Sequence, residues 1–271
     1  MTDPAGAARR RAPGLPRRAL LRGGAAAGAL LGLAACAAPA EPRPPDPPAA
    51  PPPSSPPSPP SRSSAPQAGP TGPAVELVRA ATGRPEVALT FHGDSDLTLD
   101  RQILEALAKG GAQVTVLAVG TWLARYPDAA KMVADLGHEL GNHTWSHRTM
   151  TRLSAAAQRD EIVRCRDKIA ALTGGPGAFF RQSAAQHATA EQLRLAGEAG
   201  YPRVLSYDVD SLDWTDPTPA TVRAQVRTAT AGSVVSMHLG HRATLAAIPD
   251  ILADLDKRGL RPVTAGRLFT A

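Results

Sequence analysis

Short strand-like runs alternate with helical segments from residue 84 to the end of the chain, and this alternation constrains the fold more than any other feature. The strand-like runs are "EVALTF", "AQVTVLAV", "HELGNHT", "AFFRQ", "PRVLSYDVD" and "GSVVSMHL". The longest helical segment is "SAAAQRDEIVRCRDKIAALTG", which stops at Gly174-Gly175-Pro176. This order predicts an α/β fold with a parallel sheet and crossover helices, arranged as a barrel or as a doubly wound sheet.

Two further helices carry signals at their starts. Thr189 and Gln192 have the spacing of a capping box. Thr218 followed by Pro219 suits the N-cap and first-turn positions of a helix between the last two runs. We expect both helices to begin at these residues.

Proline is distributed unevenly and divides the chain. Residues 1–73 contain 19 of the 27 prolines. A segment so rich in Pro, Ala and Ser cannot bury enough apolar surface to offset its loss of conformational entropy. We therefore predict one folded domain over residues 74–271, preceded by a disordered Pro-rich tether over residues 37–73.

Residues 1–36 have the layout of an export signal. Several arginines precede an apolar run from Gly23 to Leu33, which is too short and too weakly apolar to read as a membrane span. The pair Arg17-Arg18 resembles that of a twin-arginine signal. "LAAC" follows and resembles a bacterial lipobox, in which Cys36 is acylated. The leader therefore predicts an exported lipoprotein on the outer face of the cytoplasmic membrane, facing the cell wall.

Charge gives no argument for a nucleic-acid partner. The net charge of +6 includes +5 from residues 1–73, whereas residues 74–271 contain 22 basic and 21 acidic side chains. The high isoelectric point is thus a property of the leader, and we expect no nucleic acid among the partners. With Cys36 acylated, Cys165 has no partner, so we expect no disulfide.

Side chains that can do chemistry follow the predicted strands. The carboxyl ends of parallel strands share one rim of the sheet, where active sites form. The residues in question are His92, Asp94, His143, His147, Arg181, Asp208, Asp210, Asp213 and His238. Their positions predict an active site on that rim.

Histidines dominate this set. His143 and His147 are four residues apart, and two imidazoles one helical turn apart share a face and can bind one ion, such as Zn²⁺ or a similar divalent metal. His238 ends an apolar strand, and its ordinary pKa near ~6.5 suits a proton donor. Asp213 is the carboxylate that would orient His238.

Two tryptophans lie beside these groups in the sequence. Trp145 and Trp214 each offer a flat apolar face of the type that packs on sugar rings. We treat both as candidate substrate contacts, with core packing as the alternative for either.

In this order, "LTFHGDSD", "GHELGNHTWSH", "FFRQS", "DVDSLDW" and "VVSMHLGH" resemble the five motifs of the polysaccharide deacetylase family, also called NodB-homology domains or carbohydrate esterase family four. The resemblance covers roughly residues 85–270. It implies a distorted (β/α) barrel and a divalent metal that is usually zinc. It also implies removal of N-acetyl or O-acetyl groups from peptidoglycan, chitin, xylan or related polymers.

The resemblance implies roles for individual residues. His143 and His147 correspond to the metal-binding pair, and His238 to the general acid that protonates the leaving amine. Asp213 corresponds to the carboxylate partner of that acid, and Arg181 to the arginine that steadies the catalytic base. In such a site the metal polarises a water and the amide carbonyl, and so stabilises the oxyanion.

The first and third motifs depart from the family pattern. The family has Thr-Phe-Asp-Asp-Gly, in which the first Asp is the base and the second binds metal. His92 and Gly93 occupy those two places here. Gln182-Ser183-Ala184 stands where Pro-Pro-Tyr is typical.

Three arrangements could replace the missing carboxylates. His92 could act as the base, although nearby positive charge disfavours its protonation. His92 could instead be the third metal ligand beside the two histidines of the second motif, with Asp94 or Asp96 as base. Alternatively, one of these acids could bind the metal past Gly93, leaving His92 as base. We assign His92 to the catalytic residues and Asp94 to the candidate ligands, and we expect His92 to contact the metal or its water.

The sequence therefore predicts a metal-dependent hydrolase that removes acetyl groups from a cell-envelope or extracellular polysaccharide. The alternative is a glycan-binding or scaffold lipoprotein that kept the fold and lost the chemistry. The altered motifs favour the alternative. The joint presence of His143, His147, Asp213 and His238 favours the enzyme.

Overall fold

The structure is a computed structural model and describes residues 72–270. Its first strand begins at Val75, inside the predicted domain. The predicted leader, the acylated Cys36 and the tether up to residue 71 lie outside the described residues. Within residues 72–270, every helix is too short or too polar to cross a lipid bilayer.

The described chain contains eight strands and eight α-helices, and most strands are followed by one or two helices. The strands are β1 (Val75–Leu77), β2 (Glu86–Gly93), β3 (Thr115–Ala118), β4 (Glu139–Asn142), β5 (Arg203–Leu205), β6 (Val209–Asp210), β7 (Val234–His238) and β8 (Arg261–Val263). The helices are α1 (Leu97–Lys109), α2 (Gly120–Arg125), α3 (Asp128–Asp135), α4 (Ala155–Thr173), α5 (Ala190–Glu198), α6 (Pro219–Val226), α7 (Arg242–Lys257) and α8 (Ala265–Leu268).

The paired strands are parallel and curve into a distorted barrel. β2 is central and pairs with β3, β7 and β8. β4 extends the sheet beyond β3, β6 extends it beyond β7, and β1 pairs with β5. Single bridges from Phe180 to Asn142 and to Val204 carry the pairing from β4 to β5. Among the described strands β5 and β6 are not paired, so the barrel is open at that point.

The central strand is buried along almost its whole length. A parallel strand covered on both sides reads as a continuous apolar run, which is the pattern of "EVALTF". Leu89 and Phe91 of β2 are fully buried, and both belong to the main hydrophobic core with Trp122 of α2. This rigid strand positions the residue at its end, His92.

The predicted helix ends are confirmed. α4 stops at Gly174, which adopts a left-handed conformation with φ 80°. Thr189 and Gln192 form a complete capping box at the start of α5. Thr218 caps α6, and Pro219 occupies its first turn.

Three predicted strands differ from the structure. "AFFRQ" forms no strand, and within it only Phe180 makes isolated bridges. β4 ends at Asn142, so His143 and His147 lie in the loop that follows and not on one face of a helix. The run "PRVLSYDVD" divides into β5 and β6. Asp208 lies between these two strands, and its carboxylate accepts the backbone N–H of Val234.

Candidate active site

The carboxyl ends of β2, β4 and β7 bring four histidines together. His92 and His238 are direct neighbours in the register of β2 and β7, and their ring centroids lie 4.4 Å apart. The ring of His143, just after β4, lies 3.9 Å from that of His92. His147 follows in the same loop, 4.8 Å from His143 between ring centroids. The parallel sheet thus places these side chains on one rim.

Three of these histidines are spaced like ligands of one ion. His92, His143 and His147 each offer a nitrogen, and the three nitrogens lie within 4.8 Å of one another. Nε2 of His143 is 3.1 Å from Nε2 of His147. Two nitrogen ligands of a tetrahedral zinc, each at about 2.0–2.1 Å, lie roughly 3.3 Å apart. The spacing of His143 and His147 therefore fits a shared ion.

The tautomer of His143 is set by the backbone. Its Nδ1 lies 3.1 Å from the carbonyl oxygen of Arg181, and because a carbonyl only accepts, Nδ1 carries the proton. Nε2 then presents its lone pair to His147. Burial lowers the pKa of His143 well below its ordinary value, and burial also lowers the pKa of His147. A neutral imidazole oriented through its second nitrogen is the form that binds metals.

Arg181 is fully buried and holds His92. Its Nη1 donates to Oγ1 of Thr90 at 2.9 Å and lies 3.2 Å from Nε2 of His92. Since a guanidinium only donates, Nε2 of His92 accepts and Nδ1 carries the proton. That Nδ1 is buried without a hydrogen-bond partner among the described residues. Arg181 and an ion at the histidine cluster would therefore compete for one lone pair of His92.

Burial lowers the pKa of both His92 and Arg181. It lowers the pKa of His92 well below its ordinary value, with His143 adding to the shift. Burial also lowers the pKa of Arg181 to about 9. Within residues 72–270, Arg181 makes no ion pair with a carboxylate, and its Nε donates to the carbonyl of Leu205. His92 is thus neutral beside a cation, which disfavours its use as a proton acceptor.

His238 and Asp213 form the predicted histidine–carboxylate pair. Nδ1 of His238 lies 2.7 Å from one oxygen of Asp213, and the backbone N–H of His238 donates to the other oxygen at 2.9 Å. Thr244 also donates to that second oxygen, at 2.7 Å. Burial opposes ionisation of Asp213, but the hydrogen bonds from His238 and Thr244 outweigh it and lower its pKa. An ionised Asp213 keeps the proton of His238 on Nδ1 or stabilises the doubly protonated ring.

The two acids of the first motif lie apart from the histidine cluster. Asp96 is the N-cap of α1, and its carboxylate accepts the backbone N–H of Thr98. Asp94 is exposed and is not part of the three-histidine cluster. Burial raises its pKa, although the nearby His147 and Arg125 oppose the shift. The structure thus brings His92, and not Asp94, to the histidine pair.

A carboxylate at position 93 would crowd the core. A Cβ added to Gly93 would lie 3.2 Å from side-chain atoms of both Trp122 and Val116. That separation is tighter than ordinary van der Waals contact. The small residue at this position therefore matches its packed surroundings, and the family's second Asp has no space here without a shift of Trp122.

A cavity of about 490 Å³ opens in front of the histidines. Its lining includes His92, His147, Gln182, Tyr207, Trp214 and His238. Trp214 is 54% exposed and so offers its face to a ligand in the cavity. Trp145 is not part of the lining. It packs against Gly120, and the guanidinium carbon of Arg164 lies over its ring, 4.4 Å from the ring centroid. The position of Trp145 gives its predicted sugar contact no support.

The polar side chains of the altered third motif donate hydrogen bonds to backbone carbonyl groups. Gln182 is buried, and its Nε2 donates to the carbonyl of Gln186 at 3.0 Å. Ser183 donates to the carbonyl of Arg148. Ala184 follows with a φ of 58°. These contacts shape one wall of the cavity around Arg181 without adding an acid.

The structure adds polar residues that the sequence did not single out. Thr244 lies in the first turns of α7, shortly after the fifth motif, and this proximity is the signal that could have found it. His241 and Asp216 form a second pair at 2.7 Å, three residues after His238 and Asp213 respectively. Glu161 is buried in the middle of α4 and carries no sequence signal.

Comparison with known proteins gives the same family as the sequence motifs. The family model for polysaccharide deacetylase matches residues 79–204. A peptidoglycan-N-acetylglucosamine deacetylase of Bacillus cereus is 31% identical over 194 residues, which make up 68% of this chain and 87% of that protein. The α/β barrel and its histidine-lined rim define a carbohydrate deacetylase-type hydrolase domain. The chain belongs to the polysaccharide deacetylase family, as its motifs predicted.

Solved structures share the fold. A family 4 carbohydrate esterase from Streptomyces lividans, in complex with acetate, superimposes with a TM-score of 0.61 at 31% identity over 65% of this chain and 90% of that one. A CE4 family pseudoenzyme from Bacillus anthracis gives 0.67 at 25% identity over 72% and 69%. The predicted distorted (β/α) barrel of NodB type is confirmed. Because an esterase and a pseudoenzyme share it, the chemistry has to be argued from the site.

Proposed function

We propose that this protein is a metal-dependent deacetylase of an acetylated cell-envelope polysaccharide. One observation carries the proposal: the His238–Asp213 pair lies on the same rim as three clustered histidines, with 4.4 Å between the rings of His238 and His92. A proton donor beside a potential Lewis-acid site is what amide or ester hydrolysis needs. Peptidoglycan is the first candidate substrate, because the Bacillus cereus relative is a peptidoglycan deacetylase by name. Chitin-like and xylan-like polymers follow.

The histidine cluster fits a divalent cation. His143 and His147 would be the two fixed ligands, since their nitrogens are already at ligand spacing. His92 would be the third by exchanging the hydrogen bond from Arg181 to its Nε2 for the ion. An all-nitrogen donor set of this kind suits zinc. A cation held there supplies Lewis acidity, which favours ionisation of water and polarises the acetyl carbonyl.

Residues of the chain would handle the protons. His238 donates from Nε2 to the leaving nitrogen or oxygen, while Asp213 holds the ring through Nδ1. With His92 as ligand, Asp94 would accept the proton of the attacking water, since it is the acid of the first motif whose charge interacts with His147. Arg181 keeps His92 neutral and its ring fixed.

A second candidate function is glycan binding without catalysis. The contact between Arg181 and His92 favours it, because Arg181 occupies the lone pair that a third ligand needs and has no carboxylate partner within residues 72–270. A solved relative of this fold is itself described as a pseudoenzyme. The cavity and the exposed face of Trp214 would serve such a role equally well.

Acetate release separates the two functions. The full-length protein is loaded with Zn²⁺ and incubated with peptidoglycan, N-acetylglucosamine oligomers and acetylated xylan. We expect acetate release that a chelator abolishes and that His238→Ala lowers at least 100-fold, the range of a general acid. Glycan binding by the zinc-loaded protein without acetate release from any of the three polymers would overturn the proposal in favour of the second function.

A further inference from the structure

The loop that carries His143 and His147 is held in a strained conformation. Thr144 has a φ of 70° and His147 a φ of 56°. A β-branched residue such as Thr144 rarely adopts such a value, which persists only where surrounding contacts over-determine the backbone, whereas histidine tolerates it more readily. A contact that fixes this loop therefore also fixes the direction of the two imidazoles.

Helix α4 supplies that contact through one side chain. Ser146 lies between the two strained residues, and both its polar groups bind Glu161. Its backbone N–H donates to Oε2 at 2.7 Å, and its hydroxyl donates to Oε1 at 2.6 Å. The next residue of α4 holds the start of the loop, because the carbonyl of Ile162 accepts Nδ2 of Asn142 at 2.9 Å. Glu161 thus binds the loop at Ser146, between the candidate metal ligands His143 and His147.

Glu161 is also a buried carboxyl group without a partner cation among residues 72–270. It is 4% exposed, and it forms no ion pair with a lysine or arginine across residues 72–270. A buried carboxylate without a compensating cation is costly. Both its oxygens bind Ser146, the residue directly before His147. A cation at the histidine cluster would therefore lie close to this carboxyl group and offset its charge.

We propose that Glu161 is the positioning residue of the metal site: it orients the loop of His143 and His147 and supplies the negative charge that balances the cation. This inference rests on the proposed metal-dependent function. It gives a physical reason why His92 and Gly93 can stand where the family has two carboxylates. The compensating charge comes from beneath the ligands, on α4, in place of a carboxylate in contact with the ion.

Zinc affinity of the full-length protein tests the inference without any assay of activity. Zn²⁺ is titrated against a chelator of known affinity in wild type, Glu161→Gln, Glu161→Asp and Ser146→Ala. We expect Glu161→Gln to weaken zinc binding about 10- to 100-fold, the usual effect of removing an outer partner of a ligand. Ser146→Ala keeps the charge and the backbone hydrogen bond, and is expected to change the affinity less than about threefold. Glu161→Asp keeps the charge at shorter reach and should fall between the two.

Each outcome bears on the inference. Thermal melts in chelator show which variants are folded, and where Glu161→Gln is unfolded the comparison of Glu161→Asp with Ser146→Ala decides. Zinc affinity of Glu161→Gln within about threefold of wild type would overturn the inference and leave the proposed function intact. Equal losses in Glu161→Asp and Glu161→Gln would overturn the role of the charge. A wild-type protein that binds no zinc would overturn the proposed function itself.

Discussion

Hydrogen bonds with Asp213, which Thr244 supports, orient the imidazole of His238 for proton donation. Asp213 accepts from both its Nδ1 and its backbone N–H, and Thr244 holds the same carboxylate from α7. The hydrogen bonds from His238 and Thr244 lower the pKa of Asp213 and so favour its ionised form, although burial opposes this. The ring of His238 can therefore carry a proton on Nε2 without losing its orientation.

Asp213→Asn tests this arrangement. The amide can present its N–H to Nδ1 of His238 and so invert the tautomer, which leaves the only ring proton on Nε2 of a neutral imidazole. A neutral imidazole is a far weaker acid than the doubly protonated ring that the carboxylate of Asp213 stabilises. We expect kcat to fall at least 100-fold, with zinc content and KM close to wild type. Acetate release under saturating substrate measures the effect. A variant that keeps more than a tenth of the wild-type kcat would contradict the assigned role of Asp213.

At the level of elements, the first turn of α1 holds an acid that the site does not use. Asp100 is buried, and burial raises its pKa to about 6, although Ser95 and Trp122 donate to it. A carboxyl whose pKa is higher in the folded than in the unfolded state stabilises the fold at low pH. That stability is lost as pH rises from the unfolded value near ~3.9 through about 6.

Asp100→Asn should remove this pH dependence. The amide can still accept from Trp122, and it has no charge to bury. We expect the difference in Tm between variant and wild type to grow between pH 4 and pH 7, to about 3–6 °C in favour of the variant. Asp96→Asn is the matched control, because Asn caps a helix about as well as Asp. A constant difference across this range would contradict the assignment.

The turn between β6 and α6 exposes two large apolar side chains to solvent. Leu212 and Trp214, on this turn, are two of the three large exposed hydrophobic side chains within residues 72–270. The turn is bounded by left-handed residues, Leu212 at φ 55° and Asp216 at φ 52°. The pair between His241 and Asp216 ties its far end to the start of α7. Trp214 is thus presented on a fixed support beside the catalytic pair.

Trp214→Ala should therefore act on substrate binding and not on chemistry. Loss of one stacking face corresponds to roughly a tenfold rise in KM. We expect kcat and Tm to stay near wild type, because the side chain is half exposed. Val75→Ala, which shortens an exposed side chain on β1, is the control and should change neither constant. A fall in kcat with unchanged KM for Trp214→Ala would refute the contact.

Local signals decided how much of this could be predicted. The capping residues of α5 and α6 and the final glycine of α4 are set by hydrogen bonds within a few residues, and the sequence displays them. The short helix α2 has no side-chain cap at its start, and β1 exists through pairing with the distant β5, so neither has a local signal.

Some features of the site could likewise be predicted from the sequence, and others could not. Parallel pairing predicts that His92, His143 and His238 meet, since each lies at or just after the carboxyl end of a strand of one sheet. In the loop after β4, Ser146 binds Glu161, which lies fifteen residues further on and in a different element. The non-helical shape of this loop could not be predicted from spacing. The contact of Arg181 with His92 depends on packing from two separate strand ends.

At the scale of the whole molecule, the predicted leader would decide where the protein meets the proposed polymer substrate. Cys36 and the tether lie outside the described residues, so an exported lipoprotein is a proposal. A polyproline tether over residues 37–73 would reach on the order of 100 Å from the membrane at ~3.1 Å per residue. That reach suits a cell-wall polymer.

Cys36→Ala tests the anchor. We expect wild-type protein in the membrane fraction, labelled by a palmitate analogue and beginning at Cys36. The variant should lose the label, because no thiol remains to be acylated at that position. Cys165→Ala is the control and should keep the label, since Cys165 is buried in the fold. Unlabelled wild-type protein in the membrane fraction, or label on Cys36→Ala, would contradict the proposal.

The account depends most on a cation shared by His143 and His147, and the zinc stoichiometry of the purified full-length protein tests it most directly. We predict one tightly bound zinc per chain in wild type and in His238→Ala, and a loss of affinity of at least about 100-fold in His143→Ala. Wild-type protein without bound zinc, or His143→Ala protein that retains it, would contradict the account.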